Sequence, residues 1–205
     1  MIDEAVEAVR RGKPVILPTD TVYGLAASAF HADAALGLYR LKNRPLTQPM
    51  AILASDVDVL FELVPELRGR AGVIARALLP GPYTLVLPNP ARRFGWLTGA
   101  RDDTIGVRVP ELPEPAAEVL RRVGALVATS ANEKGGPDPA RVEDVPKELR
   151  EAVGAVVDVG ELPGVASTVI DFTATEPRVI RDGAASATEA IARALGADGR
   201  RRQPE

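Results

Sequence analysis

The chain has 205 residues, 46% of them hydrophobic and 26% charged, with a formal net charge of −3, one histidine and no cysteine. A chain of this length buries roughly 70% of its unfolded surface and needs no staples, and the missing cysteines exclude disulfides, thiolate metal centres and cysteine nucleophiles. The lone His31 excludes a multi-histidine metal site and weakens any Ser–His–Asp arrangement, while the net negative charge gives no global pull on nucleic acid yet leaves room for a basic cavity.

The opening residues MIDEAVEAVRRGK place Ile2, Ala5, Val6 and Val9 at helical spacing, and Gly12 stops the pattern, which predicts a helix over 2–11. This is neither a basic-then-apolar leader nor part of any apolar run near the roughly 18 residues of a membrane span; the missing cysteines fit a cytoplasmic, reducing compartment, which is the location expected. Residues 14–18 predict a buried strand ending in Pro-Thr-Asp-Thr, and Tyr23-Gly24 reads as core packing and a tight turn. A helix follows over Ala32–Leu41. Pro45 and Pro49 then make Lys42–Pro49 a loop. Further strands are expected at 50–54, 83–88, 104–110, 125–129, in GAVVDVG, in ASTVIDF and in RVIRDG, and helices at 57–63, 66–79, 115–123 and 188–195. The segment 89–103 reads as a long loop and a candidate flap, and 196–205 as an unstructured tail. Alternating strands and helices argue for one α/β domain over 1–195, with a substantially parallel or mixed sheet flanked by helices.

Three polar clusters lie at strand ends: Thr19-Asp20-Thr21, Ser130-Ala131-Asn132 and Ser167-Thr168. Strand ends are where open α/β sheets bind ligands, although the same residues also serve as ordinary turn and capping chemistry. Lys42 and Arg44 alternate, so an extended backbone points both the same way; a compact ammonium beside a planar guanidinium suits a polyphosphate, and a solvated basic loop is the alternative. Arg108 sits among apolar residues and needs either an acid of the protein or a ligand anion; Arg181 in VIRDG poses the same question. No Walker A or GxGxxG segment is present. On these residues alone, the chain has a basic, hydroxyl-rich cleft for an anionic small molecule or a nucleotide.

In order, LPTDTVYGLAASAF, LKNRPLTQPMAI, LLPGPYTLVL, TIGVRVP, TSANEKGGPDP, ASTVIDF and VIRDGA resemble the YrdC/TsaC family of L-threonylcarbamoyladenylate synthases, in its short single-domain form, over about residues 2–195. The resemblance implies a twisted sheet around a deep basic cavity. It also implies formation of threonylcarbamoyl-AMP and pyrophosphate from L-threonine, bicarbonate and ATP, with Mg²⁺ carried by the nucleotide. The product would pass to a tRNA threonylcarbamoyl transferase complex for modification of the adenosine beside the anticodon. By the same resemblance Lys42 and Arg44 take the ATP phosphates, Ser130 and Asn132 line the junction of the two substrates, and Thr21 and Arg108 hold threonine through hydroxyl and carboxylate. Ser167 falls at the inner end of the cavity, and Gln48, Thr104 and Arg181 fall at nucleotide contacts. Leu53, Lys134, RDGA and ASTV depart from the usual pattern. Two other readings stand beside it: a double-stranded RNA-binding module using the basic cavity, and the carbamoyl-transfer domain of hydrogenase maturation proteins, whose zinc-finger segments a chain without cysteine cannot supply.

Overall fold

The computed structural model describes residues 1–201. All four residues of β1 (Val15–Pro18) are buried. Val15 and Leu17 enter one apolar cluster and Ile16 the other. Successive side chains of a strand point to opposite faces, so a strand covered on both sides is apolar at every position. Through Thr19–Val22 the chain reverses into β2 (Tyr23–Ser28), antiparallel to β1 with Pro18 opposite Tyr23. The turn expected at Tyr23-Gly24 is thus the first step of a fully buried strand. Its sequence, YGLAAS, lacks the β-branched residues that mark strands.

The remaining strands are β3 (Ala51–Ala54), β4 (Tyr83–Pro88), β5 (Thr104–Arg108), β6 (Ala125–Ser130), β7 (Ala155–Val156), β8 (Thr168–Asp171) and β9 (Arg178–Arg181). They form one sheet in the order β7-β1-β2-β6-β3-β5-β4-β8-β9. The sheet is mixed: β1–β7, β3–β5 and β4–β8 run parallel, and the five other pairings are antiparallel. The unforeseen β2 reverses direction inside the sheet, and this is why antiparallel pairs outnumber the parallel ones.

Helices α1 (Ile2–Arg10) and α5 (Glu114–Val123) pack on each other and cover one face of the sheet from β7 to β6. On the opposite face α2 (Ala32–Leu41), α3 (Val57–Leu63), α4 (Gly69–Leu78) and α7 (Ala187–Arg201) close the larger core. The short α6 (Lys147–Ala152) follows Pro146 and had no counterpart in the sequence reading.

Two expectations change. The last helix continues past Leu195 to Arg201, through Gly196 and Gly199. Each glycine costs a helix about 1 kcal/mol, but Ala194 is buried and Asp198 pairs with Arg70 Nε of α4 at 3.5 Å, so tertiary packing overrides propensity. Residues 202–205 of the expected tail lie outside the described residues. The 89–103 segment is also fastened along its length. Buried Asn89 donates to the carbonyls of Arg93 and Asp102, Trp96 Nε1 donates to the Ala29 carbonyl, and Leu97 is wholly buried.

Candidate functional site

Beyond β6, the sheet face that carries α1 and α5 opens into a cavity of about 380 Å³. Alternation decides what lines it. In β5, Ile105 and Val107 enter the core while Thr104, Gly106 and Arg108 face the cavity. TIGVRVP therefore alternates cleanly, and its polar and small positions form a single face. Ala51 opposes Gly106 and Ala128, and Leu53 opposes Arg108. Ala51, Gly106 and Ala128 are the small residues of the floor, which leave volume above them.

Eight of the ten residues given a site role by the resemblance line this one cavity: Thr21, Arg44, Gln48, Thr104, Arg108, Ser130, Ser167 and Arg181. They arrive from the β1–β2 turn, the 42–49 loop, β5, β6, the segment before β8, and β9. Lys42 and Asn132 are not in the lining; they stand behind Ser130.

Lys42 caps the C-terminus of α2 and is 8% exposed. Its Nζ donates to the Ser130 carbonyl at 2.9 Å, to Asn132 Oδ1 at 2.7 Å, and to the Asn132 carbonyl. Burial, helped by the neighbouring Arg44, pulls its pKa down to about 8, against Asp138. Three acceptors around one nitrogen require three protons, so this arrangement holds the ammonium form. Asn132 Oδ1 also accepts from Ser130 Oγ at 2.8 Å, and Asn132 Nδ2 donates to the Gly136 carbonyl. Lys42 thus clamps the Ser-x-Asn segment, while Arg44 of the same Lys-x-Arg segment bonds elsewhere.

Hydroxyl protons are assigned by elimination. Thr19 Oγ1 donates to the Val22 carbonyl at 2.7 Å and lies 2.9 Å from Thr21 Oγ1. A hydroxyl has one proton, so Thr21 is the donor in the second contact. Ser130 likewise commits its proton to Asn132. Both Thr21 and Ser130 thus meet the cavity as acceptors, matched to a ligand N–H or O–H.

The charged lining is cationic. Arg44 Nη2 donates to the Pro49 carbonyl at 2.7 Å, while its buried Nε has no partner. Arg181 donates from Nε and Nη2 to the Ser167 carbonyl and from Nη2 to Ser167 Oγ, which also contacts Thr84 Oγ1 at 2.8 Å. Burial lowers the pKa of Arg44 and of Arg108, and the charge of Arg181 adds to both shifts; arginine nevertheless stays protonated. Thr104 Oγ1 donates to the Arg101 carbonyl, and exposed Gln48 takes the Tyr39 hydroxyl on its backbone oxygen. Such a cavity recognises an anion with polar hydrogens.

Asp20, in the Thr19-Asp20-Thr21 cluster, gains a partner in the fold. Its Oδ1 accepts from Arg108 Nη2 at 2.6 Å, and both side chains are about nine-tenths buried. Burial raises the carboxyl pKa against the opposing pull of Arg108. Asp20 Oδ2 and Arg108 Nε remain buried without partners. The signal was present, an acid inside a polar strand end and an arginine inside an apolar strand, but sequence separates them by 88 positions.

Comparison with known proteins agrees with this architecture. Residues 7–183 match the family model Sua5/YciO/YrdC, described as "Telomere recombination". The threonylcarbamoyl-AMP synthase of Halorhodospira halophila is 33% identical over 186 residues, 91% of this chain and 92% of that protein. The crystal structure of Pyrococcus abyssi Sua5 complexed with L-threonine superimposes with a TM-score of 0.85 and 34% identity, over 95% of this chain and 57% of that one. This chain therefore spans little more than half of the Pyrococcus protein. Escherichia coli YciO gives a TM-score of 0.82 at 26% identity, covering 93% and 92% of the two chains. The chain belongs to the Sua5/YciO/YrdC family.

Proposed function

We propose that this chain is a threonylcarbamoyl-AMP synthase: it joins L-threonine, bicarbonate and ATP and releases pyrophosphate. The observation that carries this reading is the convergence of Arg44, Arg108 and Arg181 on one cavity beside two hydroxyls set as acceptors. A cavity of about 380 Å³ is in the range of small-molecule sites, which favours an amino acid and a nucleotide over an RNA duplex. Relatives named for this activity and a relative crystallised with L-threonine support the choice of substrates.

In this reading Arg108 takes the threonine carboxylate, and Thr21 and Ser130 accept from its hydroxyl and amine. The amine attacks bicarbonate, giving the carbamate and water. A carbamate oxygen then attacks the α-phosphorus of ATP, the bond from that phosphorus to the β-phosphate oxygen breaks, and pyrophosphate leaves. Arg44 and Arg181 neutralise the charge of the transferring group in this reading, and Thr104 and Gln48 serve the nucleotide. Preorganised cations aimed at developing charge, and reactants held in line, supply the acceleration without a covalent nucleophile. Ser167 anchors Arg181, and Lys42 with Asn132 anchors Ser130.

Mg²⁺ belongs to the substrate here, entering as MgATP. The charged cavity lining is arginine, and among the described residues no group of three or more carboxylate or imidazole side chains is placed to hold a metal. Among the described residues no helix is long and apolar enough to cross a membrane, and we place the reaction in the cytoplasm, with the product passed to a tRNA-modifying transferase complex. The test is product identity: with ¹³C-bicarbonate, L-threonine and MgATP, mass spectrometry of the quenched reaction finds a threonine-bearing adenylate carrying the label. Finding only AMP and ATP, together with salt-dependent duplex RNA binding, would replace this reading with the RNA-binding one.

A further inference from the structure

Asp20 occupies a turn that the sequence makes rigid. The Thr19 hydroxyl accepts from the amides of Thr21 and Val22 and donates to the Val22 carbonyl, so the chain between β1 and β2 is tied on both sides of Asp20. From this fixed turn the carboxylate reaches across to β5 and takes one guanidinium nitrogen of Arg108 at 2.6 Å. The contact is a single point. Arg108 Nε stays buried and unpartnered, and the guanidinium also keeps donors that Asp20 does not use. Arg108 itself lines the cavity.

Three arginines converge on this cavity, and the carboxylate joined to one of them is Asp20. An arginine side chain has several rotatable bonds and loses much freedom when fixed. An acid that fixes it before the ligand arrives removes that cost from the binding step. A second carboxylate, on the ligand, then meets the guanidinium donors that Asp20 leaves unused.

We infer that Asp20 is a positioning residue for the amino-acid half of the site: it orients Arg108 so that its remaining donors meet the carboxylate of the incoming α-amino acid. The inference rests on the synthase reading of the cavity. Asp20 acts through Arg108 and does not touch the reacting atoms. Its single-point contact leaves donors of Arg108 unused; an internal competitor would occupy the whole fork and would have to leave before a ligand could bind, so removing it would tighten threonine binding.

The experiment is calorimetric titration of L-threonine into the wild type, Asp20→Ala, Asp20→Asn, Arg108→Met and the Asp20→Asn/Arg108→Met double variant, alongside threonine-dependent pyrophosphate release. Loss of a buried charge-assisted tether costs binding about 10-fold or more, so Asp20→Ala weakens threonine by that factor. Asp20→Asn, near-isosteric and still an acceptor, weakens it less and keeps the test open should the alanine variant unfold. Michaelis constants for ATP change little in both. In the Arg108→Met background, adding Asp20→Asn brings no further loss, because coupled residues are not additive. Unchanged or tighter threonine binding in Asp20→Ala or Asp20→Asn, or a loss that persists without Arg108, overturns the inference. A wild type that binds threonine yet releases no pyrophosphate would sink the synthase reading and leave Asp20 to be judged by binding; a wild type that does not bind threonine overturns both.

Discussion

Lys42 Nζ donates to Asn132 Oδ1 at 2.7 Å, joining two segments 90 positions apart in sequence. The same Asn132 oxygen takes the Ser130 proton, so one ammonium sets the hydrogen-bonding polarity of a cavity hydroxyl that it does not face. Lys42→Met should therefore weaken threonine binding as well as pyrophosphate release. A lysine that served only the phosphates would leave threonine affinity intact, and calorimetry separates the two outcomes.

The same clamp gives a pH signature. Burial holds Lys42 near 8, below its ordinary 10.5. Between those values the unfolded chain binds more protons than the folded one, so this group raises stability as pH climbs from about 8 toward 10. Below pH 8 both states are protonated and its contribution is constant. Above pH 10 an opposing term enters, because burial pushes the Tyr23 phenol up to about 12. Activity moves the other way: deprotonated Lys42 has two hydrogens for three acceptors, and turnover falls through pH 8. Thermal midpoints and initial rates measured from pH 7 to 10 should diverge, and Lys42→Arg should remove the alkaline fall in rate.

Arg44 lines the cavity with a buried, unpartnered Nε. If it neutralises the transferring group, Arg44→Ala lowers turnover about 10²-fold or more with threonine affinity kept. Steady-state rates of pyrophosphate release at saturating threonine check this.

With Arg108 proposed to hold the threonine carboxylate, Arg108→Ala should remove a charge-assisted contact worth roughly 1.5–3 kcal/mol and raise the threonine requirement about 10- to 150-fold. It also strands the Asp20 carboxylate in the interior, and breaking a buried pair costs about 3–5 kcal/mol. Arg108→Lys keeps the charge and loses the fork, so it should fold and still show the raised threonine requirement in a titration.

Gly99 has φ +67°, and a Cβ there would lie 2.6 Å from the Thr47 carbonyl oxygen and 2.8 Å from the Pro49 nitrogen. The neighbouring Ala100 N–H donates to the Thr47 carbonyl, and the Met50 N–H to that of Leu97, so the 89–103 segment is the wall against which the Arg44 loop rests. Gly99→Ala adds backbone strain of about 1–3 kcal/mol and pushes that loop. Urea midpoints should fall, and the ATP Michaelis constant should rise while threonine affinity holds.

The sequence showed much of this and concealed specific parts. Helix α2 ran as read, because Ala35, Leu38 and Tyr39 form an unbroken apolar stripe ended by prolines two turns on. β2 was hidden because small residues buried on both faces carry neither alternation nor β-branching. Eight of the site residues shared one cavity as their polar positions suggested, since hydroxyls and arginines at strand ends are locally legible. The placement of Lys42 behind the wall was not legible. It depends on the 42–49 loop meeting the 130–136 turn, a contact that no local pattern encodes. The Asp20–Arg108 pair was hidden for the same reason, each half visible and the partnership not.

Coupling of threonine to ATP in this cavity is read out by pyrophosphate release from MgATP and bicarbonate, measured with and without L-threonine. Release should require threonine, and Arg44→Ala and Arg108→Ala should both suppress it, the latter recoverably at high threonine. Release independent of threonine, or none with the folded wild-type chain, would contradict the coupling.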